Sequence, residues 1–337
     1  MKNKQEGKLG IALVGLGTYA TNQLAPALAQ TQHCYLAAIV TGTPSKAAAW
    51  KAKYNIPDKN IYNYENFDNI INNADIDIVY IVLPNYLHAE YTIRAALAGK
   101  HVICEKPMAI TVEDCDVMIA ACKKAGKQLS IGYRLHFDPY HLEMIKFGKD
   151  LNTGMIKNIK SNFSQTSQKG EWRLDKKIAG GGPLMDLGIY CLQAVMYTTG
   201  MQPIAVTAQS YPISDFEKFI DIEETISWQM EMPNGIIATC KTSYSETQNN
   251  FRVEKEKAWF ELSPAFSYTG LQATHTESNI KFPSFSQQEK QMDAFALSII
   301  NNEQTIVPGE MGRRDVKIIE AIYQAMETGQ RIEINFN

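Results

Sequence analysis

The stretch Val102–Ile110, VICEKPMAI, sets an acid and a base side by side where an apolar run ends. His101–Cys104 reads as a strand, Glu105 and Lys106 follow at its tip, and Pro107 then fixes the backbone. Such a corner either leaves two solvated charges on a surface or holds a lysine still. A partly desolvated lysine beside another positive group holds its proton less tightly, which is what a proton-transfer residue needs. A second constellation is GGGPLMDLGIY. On a helix opening at Pro183, Asp186 and Tyr190 are four residues apart and share a face, and Gly188 between them leaves room for an approaching group. Asp186 falls in the first turn, where the helix dipole favours an anion. Upstream, Trp172 and Arg173 offer an aromatic platform and a fork-shaped cation. The bland alternatives are an N-terminal acid with a core tyrosine, and a surface Trp–Arg pair.

Near the start, VGLGTYA places Gly15 and Gly17 after an apolar strand and Ala20 where a third glycine often stands. A tight turn, close backbone approach and a small packing residue are what a pyrophosphate at a helix N-terminus requires, so Gly15, Gly17, Thr18 and Tyr19 are expected to hold a dinucleotide. NAD sites usually set an acid at the end of the second strand, yet from Gly7 to Pro57 there is no Asp or Glu. Instead, VTGTPSK supplies Thr41, Gly42, Thr43, Ser45 and Lys46, which suit a 2′-phosphate. NADP is therefore expected, and NAD is the weaker alternative. Ligands of such folds bind beyond the carboxyl ends of the strands, which brings in Leu83 and Asn85 as well as Lys106. His88 reads as a satisfied histidine at a helix start.

These residues need a particular scaffold. Strands at KLGIALV, CYLAAIV, DIDIVYIV, HVIC and QLSI alternate with helices at TNQLAPALAQ, SKAAAWKAKYN, LHAEYTIRAALAGK and TVEDCDVMIAACKK. The strands are continuously apolar, as in a parallel sheet covered on both faces. Thr111 caps the last of these helices, and Gly126 closes it. After about residue 135 apolar and polar residues alternate. Ile222, Glu224, Ile226, Trp228, Met230 and Met232 fall on one face, with Thr225, Ser227, Gln229 and Glu231 on the other, and PNG makes the turn. The expected fold is α/β: an N-terminal Rossmann doubly wound parallel sheet over 1–133, then an α+β domain with a large open, mostly antiparallel sheet over 134–337. Late helices are expected near Gln287–Asn301 and Met311–Thr328.

At 337 residues, 45% hydrophobic and 20% charged with formal net charge -3, the chain lacks the basic excess of a nucleic-acid binder. Its apolar runs are too short for a membrane span. Cys34, Cys104, Cys115, Cys122, Cys191 and Cys240 show no metal-ligand spacing and are expected in the core, and no metal is expected. The start MKNKQEGKLG lacks the apolar core of an export signal, so a cytoplasmic location is expected.

Taken together and in order, VGLGTYA, LPNYLHAE, GKHVICEKPMA, IGYR, WRL…AGGGPLMDLGIYCL and PGEMGRRDV resemble the glucose–fructose oxidoreductase, inositol dehydrogenase and rhizopine-catabolism (Gfo/Idh/MocA) family over nearly the whole chain. The triple glycine followed by GIY is most similar to the glucose–fructose oxidoreductase branch. The resemblance implies that Lys106 is the catalytic lysine, that a cis peptide precedes Pro107, and that Asp186 is its acidic partner. It puts Tyr190 where most members have histidine and the sugar-oxidising branch has tyrosine, and it places Lys46 in the segment that holds the 2′-phosphate. His88, Glu105, Arg134, Trp172 and Arg173 join the expected cofactor contacts. Lys106, Arg173, Asp186, Tyr190 and Tyr268 are the expected sugar contacts, the last in the loop SYTGLQATH. The implied activity is an NADP-dependent sugar oxidoreductase moving hydride between an aldose C1, giving lactone, or a keto sugar and nicotinamide. Whether Lys106 or Tyr190 moves the proton stays open. A homodimer or homotetramer through the second sheet is implied. The alternatives are an NAD-dependent cyclitol or polyol dehydrogenase and a non-catalytic nucleotide or sugar sensor.

Overall fold

The computed structural model describes residues 7–276 and 278–336. In chain order the elements are β1 Leu9–Val14, α1 Ala25–Leu28, β2 Cys34–Val40, α2 Pro44–Tyr54, β3 Ile61–Tyr62, β4 Ile78–Ile81, α3 His88–Leu97, β5 His101–Cys104, α4 Val112–Lys124 and β6 Leu129–Ile131. There follow α5 Pro139–Lys149, β7 Ile156–Ser164, α6 Lys176–Ala179, α7 Ile189–Thr199, β8 Ala205–Ser210, β9 Thr225–Glu231, β10 Ile237–Ser243, β11 Gln248–Lys255, β12 Trp259–Leu262, β13 Ala273–His275 and β14 Ser278–Ile280. The chain closes with α8 Gln287–Ile300, α9 Gly309–Thr328 and β15 Ile332–Glu333. The chain forms two compact units, Met1–Arg134 with Ser286–Arg313, and Leu135–Phe285 with Arg314–Asn337.

In the first unit six strands run in the order β3-β2-β1-β4-β5-β6, all parallel. The sheet order reverses direction between β1 and β4, where doubly wound sheets open a crevice for ligands. Ile11, Leu13, Ile39, Ile78 and Ile103 are fully buried, which is why their strands read as unbroken apolar runs. Ser286–Arg313 returns to the first unit. α8 joins the first unit because Met292, Phe295 and Ala296 pack into the cluster of Ala25, Leu28 and Ile39. The segment TNQLAPALAQ, expected as one helix, is instead a π turn over Ala20–Leu24 followed by the short α1 with Pro26 in its first turn.

Among the described residues the second unit holds nine strands in the order β14-β13-β12-β11-β7-β10-β9-β8-β15. All neighbours are antiparallel except β7 and β10. β9 and β10 form the expected hairpin, with Asn234 and Gly235 at positive φ in the turn. Ile226, Trp228 and Met230 are buried, and so is Thr225, whose hydroxyl bonds to that of Ser243. All six cysteines are buried, each as a thiol. No helix among the described residues is long and apolar enough to cross a membrane.

Two histidines give the fold an acid sensitivity. His136 bonds to Gln193 in the second unit, and His101 accepts from the Gln128 amide in the first. Burial pushes both down to about 4, with Lys127 adding to the shift at His101. Each group stays neutral in the fold and takes a proton on unfolding below its ordinary 6.5. Their stabilisation is therefore complete above pH 6.5 and is lost as pH falls towards 4. His136→Asn is expected to shrink the stability difference between pH 7 and pH 4.5 by about 2 kcal/mol in urea unfolding. An unchanged difference would remove His136 from this account.

Candidate active site

In the first unit the candidate residues gather at the carboxyl ends of β1, β2, β4 and β5. Gly15 closes β1 with φ +91, and its amide bonds to Val40 O at 3.0 Å. A Cβ there would lie 2.4 Å from Val82 O, so the turn that enters the crevice admits glycine alone. Gly17 and Thr18 are exposed, and a Cβ on Gly17 would meet nothing within 4 Å, which leaves an open backbone cradle. Tyr19 is half-buried. At the end of β2, Thr41 is buried and its Oγ1 accepts from the Thr43 amide at 3.3 Å. Gly42, Thr43, Ser45 and Lys46 are exposed around the start of α2, whose first turn carries no acid. A phosphate fits this corner through the helix N-terminus and the lysine.

Lys106 stands at the end of β5 and is half-buried, and the Lys106–Pro107 peptide is cis. Glu105, expected at the strand tip beside it, turns inward. It is 8% exposed, accepts from Tyr80 Oη at 2.7 Å, and lies against Gly132, where a Cβ would be 2.7 Å from its carboxylate. Tyr80 in turn accepts from Gln291 of α8 at 2.9 Å. Burial raises the Glu105 carboxyl above its ordinary range, while Tyr80, Lys106 and Arg134 pull it down. Arg134 is buried and donates to Gln287. His88 is fully buried with Nδ1 2.9 Å from Pro107 O and Nε2 2.8 Å from Leu83 O. It ties the end of β4 to the turn that follows Lys106, and both ring nitrogens are engaged by the protein's own backbone. Leu83 and Asn85 are buried at that edge.

In the second unit Asp186 lies in a π turn, Leu184–Gly188, that runs into α7. The widened turn breaks the regular i to i+4 alignment expected for Asp186 and Tyr190. Gly188 does not leave open room either. A Cβ there would meet Leu184 at 2.9 Å, Trp228 at 3.1 Å and Thr242 at 3.3 Å, so the glycine lets the helix press onto the sheet. Asp186 is held by Arg173 Nε at 3.1 Å and Tyr244 Oη at 3.2 Å. Arg173 also stacks on Trp172, 4.6 Å from the ring centre, so the Trp–Arg pair is part of this constellation rather than an isolated surface pair. Asp186 raises the Arg173 pKa, and burial pushes the Tyr244 hydroxyl well above its ordinary value. Tyr190 packs against Phe163 and Phe266, with ring centres 5.5 and 6.1 Å away. Tyr268 is 41% exposed in the loop after Phe266. Tyr80 and Tyr244, which no motif or spacing singles out, are the hydroxyl partners of Glu105 and Asp186. Among the described residues no cluster of three or more His, Cys, Asp or Glu is placed to hold a metal.

Residues 9–133 match the oxidoreductase family with an NAD-binding Rossmann fold (GFO_IDH_MocA), and residues 146–261 match the GFO/IDH/MocA C-terminal domain. The chain is 29% identical to a D-xylose 1-dehydrogenase [NADP(+)] of Haloarcula marismortui, over 96% of this chain and 92% of that one. It is 26% identical to D-glucoside 3-dehydrogenase of Escherichia coli, over 97% of each. Its fold superposes with TM-score 0.95 on the crystal structure of aldose-aldose oxidoreductase from Caulobacter crescentus complexed with glycerol, 42% identical over 97% of this chain and 100% of that one.

Proposed function

The chain belongs to the Gfo/Idh/MocA oxidoreductase family, and from that premise we propose that it oxidises the C1 hydroxyl of an aldose with NADP, or runs the reverse reduction of a keto sugar or aldehyde. The observation that carries this is Lys106 at the carboxyl edge of β5, in the same sheet as the open Gly15–Gly17 turn and the acid-free, lysine-bearing corner at β2. The similarity to NADP-dependent and aldose-acting relatives supports it.

NADP, when bound, supplies the hydride acceptor. Gly15, Gly17, Thr18 and Tyr19 are proposed to seat its pyrophosphate, and Thr41, Gly42 and Lys46 its 2′-phosphate. Leu83, Asn85, Arg134, Trp172 and Arg173 complete the proposed nucleotide contacts. Glu105 and His88 serve by holding the Lys106 turn. Lys106 and Tyr190 are the two groups proposed for the hydroxyl proton: Lys106 takes it as a neutral amine, or Tyr190 takes it while the charge of a protonated Lys106 stabilises the developing alkoxide. As a pyranose C1–H leaves as hydride and the hydroxyl proton passes to one of these groups, the product is a lactone. In reverse the same pair protonates the alkoxide. Asp186, fixed by Arg173 and Tyr244, orients the sugar, with Tyr268 as a further contact. A homodimer or homotetramer through the second unit's sheet is part of the same proposal.

Steady-state rates with NADP and NAD against panels of aldoses and cyclitols test it. Rates with NADP and aldoses, and lactone as product, are expected; reduction of NAD by cyclitols alone would overturn it. Lys46→Ala is expected to weaken NADP about tenfold and leave NAD unchanged, because a phosphate loses one charge-assisted contact. Equal weakening of both nucleotides would place the 2′-phosphate elsewhere.

A further inference from the structure

The segment Gly180–Gly182, which precedes Pro183, could serve as a hinge, a lid tip or a plain loop. Contacts within the second unit distinguish these. The helical segment that carries Asp186 and Tyr190 starts without a side-chain cap of its own, and Pro183 has no amide to offer. The cap comes from a distant acid. One carboxylate oxygen of Glu223 accepts from the Gly182 amide at 3.0 Å, and the other accepts from the Leu184 amide at 3.0 Å. Tyr323 of α9 donates to the same Glu223 carboxylate at 2.9 Å.

The glycines are what let this clamp close. A Cβ on Gly182 would lie 2.5 Å from the backbone oxygen of Glu223, and one on Gly181 would lie 2.0 Å from the Tyr323 hydroxyl. Neither glycine has positive φ, so close approach, not backbone freedom, explains them. Burial raises the Glu223 carboxyl, while the two amides and Tyr323 draw it back down.

We propose that Glu223, braced by Tyr323, is a positioning residue that fixes the start of the π turn and so sets Asp186 and Tyr190 for the sugar. This rests on the assignment of Asp186 and Tyr190 to sugar oxidation given above. The carboxylate suits the task because it presents an acceptor to each of two diverging amides. An amide side chain would turn an N–H towards one of them.

The test compares wild type, Glu223→Gln and Tyr323→Phe by aldose turnover, NADP affinity, Tm and amide hydrogen exchange. Glu223→Gln is expected to lower kcat about tenfold with NADP affinity unchanged, and to speed exchange at Gly182 and Leu184 about tenfold. Tyr323→Phe, which keeps the carboxylate and the ring, is expected to cost about threefold in kcat and to speed exchange at the same amides; it decides the matter should Glu223→Gln fail to fold. A lowered Tm with wild-type kcat, measured well below Tm, would make the clamp purely structural and overturn the proposal. Unchanged exchange at both amides would overturn it as well. Absence of wild-type turnover with every aldose would instead defeat the sugar assignment, whatever the exchange data say about the clamp.

Discussion

Lys106→Met is expected to lower kcat with aldoses about a thousandfold while NADP affinity changes less than about threefold. Methionine keeps an unbranched apolar stem, one heavy atom shorter, and removes the amine with its charge and its N–H donors. The turn that presents it is set by parts the substitution leaves alone. His88 bonds Pro107 O and Leu83 O, and Tyr80 bonds Glu105. Loss of the ammonium removes one of the groups that draw the Glu105 carboxyl down, but Tyr80 and Arg134 remain. The turn at Gly15 and the corner at Lys46, both proposed above to seat the nucleotide, lie on other strands of the sheet. Turnover within tenfold of wild type would leave Tyr190 as the proton-transfer group and end the assignment of Lys106.

Gly15→Ala is expected to weaken NADP about a hundredfold, or about 2.7 kcal/mol, and to lower stability by about 3 kcal/mol. Both effects come from one atom. At φ +91 an L side chain is strained, and its Cβ would sit 2.4 Å from Val82 O and 2.9 Å from Leu83 Cδ2. Val82 O is backbone, so relief requires β1 and the segment after β4 to part at the crevice where the sheet order reverses. Gly17→Ala serves as the contrast, because a Cβ there meets nothing within 4 Å of the protein. It should fold like wild type, and any loss it shows belongs to the bound nucleotide alone. Equilibrium titration with NADP and urea unfolding of the two variants check both halves.

The first unit was legible in the sequence because its strands are buried on both faces, so Ile11–Val14 and Ile78–Ile81 appear as unbroken apolar runs. The hairpin of β9 and β10 was legible through its alternation and the turn at Asn234–Gly235. What the sequence hid has a common physical origin. Tyr80, Tyr244 and Glu223 meet Glu105, Asp186 and the Gly182–Leu184 amides across long chain separations, and no local spacing announces such a meeting. The π turn at Leu184–Gly188 has the sequence of a regular helix, because helical periodicity over five residues does not separate the two. α8 displays an apolar stripe that states it is buried but not against which core. Its Gln287, Gln288 and Gln291 are buried too, where polarity would suggest solvent.

The proposed reaction is hydride transfer from an aldose to NADP. It is tested most directly by denaturing the purified protein, incubated with NADP, before and after exposure to a panel of aldoses, and assaying the released nucleotide. NADP is expected before exposure and NADPH after exposure to particular aldoses, with Lys106→Met binding NADP and leaving it oxidised. Failure of every aldose to reduce either NADP or NAD would rule out sugar oxidation by this chain.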